Sequence, residues 1–344
     1  MSAAILAGSI EEQAAAAGPR NEEELDLLLS EPSPDALAAL DKLDSDLVVL
    51  GVSGKMGPSL ARMAVRALDE LNSPHRVYGV ARFSQPGTRE QLADWGVQTI
   101  TCDLLDRSQL ASLPDSNCVI YMAGQKFGTT GNQHMTWGIN TYLPALVCER
   151  YLNARIVVFS TGNVYPLVPV VAGGPLESDP LDPVGEYAMS CLGRERIFDF
   201  FSRRHGLRCA IVRLNYAVEM RYGVLVDIAR QVHAEQPVTL DMGAANVIWQ
   251  GDANAQAIAL LGYCAAPPFV LNVTGARDRL GAPRGPSTGR HVWQGGPFQR
   301  RGGADGAAQQ RGQGRAAFRL PARLAAPDAA VDRRLGAERR RIAG

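Results

Sequence analysis

The sequence predicts an α/β fold: a doubly wound parallel sheet followed by a small C-terminal lobe. Three observations point there. From Asp46 onward, apolar runs of strand length alternate with helix-length amphipathic segments. The first such run ends in a glycine turn that opens directly into a helical pattern. A chain of 344 residues with 46% apolar content can bury the core of one large domain or two modest ones.

The turn organises the chain. Leu47, Val48, Val49 and Leu50 read as a buried strand, and Gly51, Gly54 and Gly57 follow in a G-x-x-G-x-x-G spacing. The first glycine permits a sharp turn off the strand. The second lets backbone approach a phosphate, and the third lets helix and strand pack closely. Free N–H groups at the helix start then face an anion, with the helix dipole behind them. Lys55 and Met56 complete the turn, and Leu60, Met63, Ala64, Ala67 and Leu68 give the helix its apolar face. Strand, turn and helix in that order read as a dinucleotide cradle.

The other elements follow in order. Asn21 before Glu22, Glu23 and Glu24 marks a helix start, and Pro34 opens a second short helix through Leu43. Arg76–Ala81 is the second strand. It runs into Arg82 and Ser84 rather than into the carboxylate that commonly holds the ribose hydroxyls of NAD. Arg82 and Ser84 could meet a 2′-phosphate, which favours NADP over NAD; the other reading of Arg82 is a solvated loop residue. Val97–Thr101 is the third strand, with Asp103 and Leu104 after it, where Asp103 would face an adenine amine. Asn117–Met122 is the fourth, ending in the small pair Ala123-Gly124, which leaves room for a cofactor. Lys126 follows in a glycine-rich loop that could border a substrate. Asn140 is the polar exception on the inner face of the next helix. The fifth strand, Arg155–Phe159, leads into Ser160-Thr161-Gly162-Asn163-Val164-Tyr165, and a later helix carries Tyr187 and Cys191.

Together these residues resemble the extended short-chain dehydrogenase/reductase family, the NAD-dependent epimerase/dehydratase group acting largely on nucleotide sugars. The resemblance rests on Gly51/Gly54/Gly57, Asp103-Leu104, Ala123-Gly124, Asn140, the Ser160–Tyr165 run and Tyr187, and covers about residues 46–275. It implies a Rossmann domain with a small substrate lobe and an NAD or NADP cofactor. It also implies a tyrosine acid/base, here Tyr187, with a hydroxyl, here Thr161, beside it and Asn140 as support. Removing a carbinol proton as hydride leaves calls for a tyrosinate poised near neutral pH, and tyrosine starts near pKa ~10. Thr161 would hold the substrate oxygen. One departure is plain: the family pattern is Tyr-x-x-x-Lys, and here the fourth residue after Tyr187 is Cys191. Arg194 shares the helix face two turns on, and Lys126 could supply charge from the other side. A non-catalytic dinucleotide-binding sensor or scaffold is the competing reading, favoured by Cys191. A dehydratase would want a carboxylate–acid pair, and Gly162 and Asn163 offer none.

Beyond Arg204, Cys209–Leu214 is the sixth strand, and Arg213 and Asn215 stand at its ligand-binding end. Asn163, Asn215 and Arg221 are candidates for substrate contacts, and an ion pair reads equally well for Arg213 or Arg221. Tyr222–Ala234 suggests a helix, Val247–Gln250 a strand entering a helix near Asp252, and Phe269–Val273 the last strand. The expected organisation is a helical extension over 1–44, a Rossmann domain over 45–215, a partial substrate lobe over 216–275 that returns elements to the sheet, and a distinct tail over 276–344. The tail holds 15 Arg, no Lys and 5 acids, a balance of +10 against −10 for the remainder. Its Arg/Gly/Ala/Pro composition reads as disorder or as a reading-frame shift in a GC-rich gene. Its few aromatics argue against nucleic-acid binding.

The six cysteines form no C-x-x-C pair, which suits buried thiols in a reducing cytoplasm and offers no metal site. No apolar run reaches the ~18 residues of a membrane span, and the N-terminus lacks a basic start before an apolar stretch. The expected partner is a small-molecule substrate, a nucleotide sugar, and the resemblance makes a homodimer plausible.

Overall fold

The computed structural model describes residues 18–126, 131–169, 174–239, 245–275 and 298–299. The expected tail over 276–344 falls outside these residues except for two positions, as does the stretch from Phe127 to Thr130 in the loop after Lys126. The described chain falls into two compact units.

The larger unit is built on β1 (Leu47–Leu50), β2 (Val77–Ala81), β3 (Gln98–Thr101), β4 (Cys118–Tyr121), β5 (Arg155–Thr161), β6 (Arg208–Leu214) and, after a long excursion, β10 (Phe269–Val273). These strands form one sheet in the order β10-β6-β5-β4-β1-β2-β3, every pairing parallel. β1 lies between β2 and β4, so chain order reverses there, and the crevice at the carboxyl ends of β1 and β4 is where such sheets bind ligands. β1 and β4 are buried at every position, as strands covered on both faces require.

Helices cover both faces. They are α1 (Glu22–Leu29), α2 (Pro34–Leu40), α3 (Gly57–Glu70), α4 (Thr88–Asp94), α5 (Arg107–Ala111), α6 (Gln133–Trp137), α7 (Leu143–Arg150), α8 (Gly185–His205) and α10 (Gln250–Ala259). The Asn21 side chain caps α1 and that of Ser33 caps α2, which stops at Leu40 rather than Leu43. These two helices pack on α3 and α10. Arg66 of α3 donates to the Leu27 carbonyl at 2.7 Å, an acceptor in the last turn of α1 that also takes the Ser30 N–H at 3.3 Å. On α3, Leu60, Met63, Ala64, Ala67 and Leu68 are all buried, as their spacing predicts. β5 runs two residues further than the apolar run suggests and takes in Ser160 and Thr161. Asn140 lies not in an α-helix but in a π-turn, Gly138–Tyr142, joining α6 to α7.

The smaller unit holds β7 (Tyr216–Val218) paired in parallel with β9 (Val247–Trp249), helix α9 (Val224–His233), and the short strands β8 (Val238–Thr239) and β11 (Phe298–Gln299), also parallel.

All six cysteines are free, and five are buried. Burial raises the pKa of each: Cys209 is pushed up to about 12, and Cys148 and Cys264 higher. In the unfolded chain thiols ionise near pH ~8.5, so above that pH the unfolded state binds fewer protons than the native one and stability falls as pH rises. Thermal melts from pH 7 to 10 are expected to show a Tm that is level at first and then declines above about pH 8.5. A Tm that rises across that range would contradict the buried neutral thiols.

Candidate active site

The glycine turn sits at the switch point. Gly51 has φ 88°, and a Cβ there would lie 2.6 Å from the Ala123 nitrogen at the end of β4. A Cβ on Gly57 would lie 2.0 Å from the Val52 carbonyl oxygen. Both glycines are therefore required by the protein itself. Gly54 is different: it is exposed, its φ is not in the left-handed region, and a Cβ would meet only the Gly51 oxygen at 3.5 Å, an ordinary contact. No neighbouring protein group demands glycine there, which fits a ligand on the open side. The N-terminus of α3 adds to this, since its cap residue Met56 makes no side-chain capping bond and helix-start N–H groups suit an anion. The turn thus fits a dinucleotide pyrophosphate.

Around it lie the other cofactor candidates. Lys55 is exposed beside Gly54. Arg82 is exposed at the end of β2, one residue before Phe83 at φ 50°. Asp103 is exposed at the end of β3, where its carboxylate accepts from the Leu105 N–H at 3.1 Å, while Leu104 is buried in the core. The pKa of Lys126 is lowered, first by partial burial and then by the charge of Lys55.

Behind Ala123 and Gly124 the structure builds a polar clamp. Asn140 is fully buried. Its Oδ1 accepts from the Gln125 N–H at 2.8 Å and from Arg194 Nη2 at 2.7 Å, and its Nδ2 donates to the Gln125 carbonyl and to Ser190 Oγ, each at 3.0 Å. Arg194 Nη1 donates to the Phe159 carbonyl at 2.7 Å. A Cβ on Gly124 would stand 2.7 Å from Arg194 Nη2, so this glycine is required by the clamp beneath it. Gly193 plays the same part where α8 crosses the π-turn, since its Cβ would meet Thr141 Oγ1 at 2.7 Å.

Thr161 ends β5, where its Oγ1 accepts from the Asn163 N–H at 3.2 Å. Tyr187 is partly buried on α8, packed against the buried cluster of Val164, Tyr165 and Cys191. The tyrosine pKa is raised, not lowered. Burial is the main cause and the Cys191 thiol adds to it; Arg194 and Thr161 oppose it. Cys191 is fully buried, and its pKa is also raised by burial, with Arg194 as the largest opposing influence. A positive charge at position 191 would have drawn the tyrosine down. A neutral thiol leaves desolvation in control.

Asn215 follows β6, and a Cβ on Gly162 would lie 2.6 Å from its Oδ1, so the two close the edge together. Asn163 is exposed beside them. Arg213 resolves as a structural ion pair: Nη2 donates to Glu195 Oε2 at 2.8 Å, Nη1 to Tyr165 Oη at 2.6 Å and to the Glu177 carbonyl at 3.2 Å. Ser160 Oγ donates to Glu195 Oε1 at 2.6 Å, and Tyr165 Oη donates to Asn272 Oδ1 at 2.8 Å. In the smaller unit Arg221 donates to the buried carboxylate of Glu219 at 3.1 Å. Glu195, Ser190 and Gln125 were not singled out from the sequence. The available signal was an Arg194-Glu195 pair on the buried stripe of α8 formed by Cys191, Phe198 and Ser202. Among the described residues no cluster of His, Cys, Asp or Glu could hold a metal, and no helix is long and apolar enough to cross a membrane.

A fully parallel sheet with a glycine cradle at its switch point defines a Rossmann-type dinucleotide-binding protein. The profile of the NAD-dependent epimerase/dehydratase family matches residues 47–245, and the chain belongs to that family. No curated protein matches the chain. Among solved structures it is similar to the dTDP-glucose 4,6-dehydratase DesIV of Streptomyces venezuelae, solved with NAD bound: 20% identity, 67% of this chain and 76% of that one, TM-score 0.57. It is similar also to the UDP-glucuronic acid 4-epimerase of Bacillus cereus, in complex with UDP-glucuronic acid and NAD, at 19% identity over 67% and 78% of the chains, TM-score 0.55. The UDP-glucose 4-epimerase of Thermotoga maritima gives 18% identity over 67% and 77%, TM-score 0.55. At these identities the likeness is one of fold.

Two variants test the packing behind the site. Asn140→Ala strands the Gln125 N–H and one arm of Arg194, and is expected to cost about 3 kcal/mol in denaturant melts. Arg213→Met leaves Glu195 buried and unpaired, and is expected to cost about 3–5 kcal/mol, with much of the loss recovered in Arg213→Met/Glu195→Leu. Equal losses in the single and double variants would show that the pair is not coupled.

Proposed function

We propose that this chain is an NAD(P)-dependent oxidoreductase of the epimerase type, acting on a hydroxyl/carbonyl centre of a nucleotide sugar. The observation that carries the reading is the placement of Thr161 at the carboxyl end of β5, the ligand-binding end of the sheet, with Tyr187 on α8, the helix that packs on that strand. Gly51, Gly54, Lys55, Met56 and Gly57 would hold the pyrophosphate, Asp103 and Leu104 the adenine end, and Ala123 and Gly124 the floor beneath the nicotinamide. The bound dinucleotide supplies hydride acceptance and return. Thr161 holds the substrate oxygen, and Tyr187 takes its proton on oxidation and returns it on reduction. Asn140 supports the floor through Gln125 and Arg194. Lys126, Asn163, Asn215 and Arg221 are the candidates for substrate contacts, and residues 216–275 supply the substrate lobe. Arg82, with no acid at the end of β2, favours NADP over NAD. The nucleotide-sugar class follows from family membership and from the ligands named for the similar structures. A cytoplasmic homodimer is the assembly that we expect.

A second reading is favoured by one observation: the Tyr187 pKa is raised rather than drawn toward neutrality. On that reading the chain binds the dinucleotide without turnover, as a sensor or scaffold.

Titration with NADH and NADPH, followed by tryptophan quenching and the shift in Tm, tests the cradle. Binding is expected in the wild type and a loss of at least ~100-fold in Gly54→Val, about 2.7 kcal/mol. Arg82→Ala is expected to weaken NADPH more than NADH. Binding unchanged in Gly54→Val would reject the cradle. Interconversion of a nucleotide sugar with cofactor present separates the enzyme from the sensor.

A further inference from the structure

Helix α3 begins without a side-chain cap. Its cap residue, Met56, makes no capping bond, and Pro58 in its first turn has no N–H to give. A cluster of three polar side chains holds that turn instead. Ser59 Oγ donates to the Met56 carbonyl at 3.1 Å, and it accepts from Gln250 Nε2 and from Asn254 Nδ2, each at 2.9 Å. Ser59, Gln250 and Asn254 are 5%, 1% and 0% exposed. The two amides lie one turn apart at the start of α10, 191 and 195 positions beyond Ser59 in the sequence.

Stability does not account for this cluster. Asn254 Oδ1 is buried with no hydrogen-bond partner, and an unpaired buried acceptor is costly. Apolar side chains of similar shape would fill the space between α3 and α10 without that cost. Hydrogen bonds do what such packing cannot, which is to fix a direction. The Met56 carbonyl takes both Ser59 Oγ and the Leu60 N–H, each at 3.1 Å. That carbonyl shares a planar trans peptide with the Gly57 N–H. The N–H therefore points the opposite way, out of the helix start. Gly57 is also pressed against Val52, where a Cβ would lie 2.0 Å from the carbonyl oxygen. The peptide is gripped on two sides.

We propose that Ser59, Gln250 and Asn254 are positioning residues for the dinucleotide pyrophosphate. The first turn of α10 fixes Ser59, Ser59 fixes the Met56–Gly57 peptide, and that peptide aims its N–H at the anion. The three side chains are buried and act through the Gly57 N–H. The proposal rests on the glycine turn being the pyrophosphate cradle, and it makes α10 a supporting element of the cofactor site.

The test is calorimetric titration of the full chain with two probes. ADP-ribose carries the pyrophosphate without the nicotinamide, and adenosine carries neither. Ser59→Ala is expected to weaken ADP-ribose about tenfold, the effect of one misdirected hydrogen bond to a charged group, and to leave adenosine unchanged. Ser59→Ala/Gln250→Met/Asn254→Leu is expected to bind ADP-ribose as weakly, with a Tm at or above the wild-type value. ADP-ribose affinity unchanged in either variant, or an equal loss of adenosine, overturns the proposal. If the variants fail to fold, hydrogen exchange on the wild type decides. ADP-ribose is expected to slow exchange at residues 250–254 together with 54–60, and more than in the last turn of α10. Slowing at 54–60 alone overturns the proposal. A wild type that binds no ADP-ribose rejects the cradle and this proposal with it, whereas binding that the variants leave intact rejects only the positioning residues.

Discussion

The guanidinium of Arg194 is the constraint on which the site depends. It bonds to the end of β5 through the Phe159 carbonyl and to the π-turn through Asn140, and it stands under the end of β4 at Gly124. Those segments carry Thr161, Asn140 and Gly124, and α8, which bears Arg194 itself, carries Tyr187. A side chain with two planar arms can hold two such segments at once, and a lysine with one point charge could not do so with the same geometry. The consequences reach into the sequence: Gly124 is small because the clamp lies beneath it, and Gly193 is small because α8 must come close to Thr141.

Around this clamp two kinds of buried polar chemistry are kept apart. On one side of α8 the carboxylate of Glu195 is fully used by Arg213 and Ser160, and Tyr165 and Asn272 extend that network to β10. It is a closed network, with a role in fastening sheet, helix and loop. On the other side Arg194 bonds to two neutral oxygens, the Phe159 carbonyl and Asn140 Oδ1, and its guanidinium lies 5.8 Å from the centre of the Tyr121 ring. One network is satisfied and the other is left short of a negative charge.

The replacement of the family's lysine by Cys191 reads differently in this light. A lysine would have lowered the tyrosine pKa by direct charge. Here burial dominates, and the nearest fixed charge sits one turn further along the helix. Membership of the family is shown over residues 47–245.

Much of the fold was legible in the sequence, because its signals are local. Valines and leucines in β1, three glycines at fixed spacing, the apolar stripe of α3, the cap at Asn21 and Pro34 at the start of α2 each depend on a few neighbouring residues. The family resemblance likewise points to Asn140, Thr161 and Tyr187 in order along the chain. What the sequence could not determine is what those side chains meet across the fold. Arg213 and Arg194 stand at equivalent-looking places, one at a strand end and one on a helix face. Only the sheet order and the packing of α8 over β5 give the first a carboxylate and leave the second without one. The same holds for Asn140, a lone polar residue in the sequence, whose four hydrogen bonds come from segments 15, 50 and 54 positions away. Charge compensation in a buried site is set by distances between remote residues, and those exist only once the chain has folded.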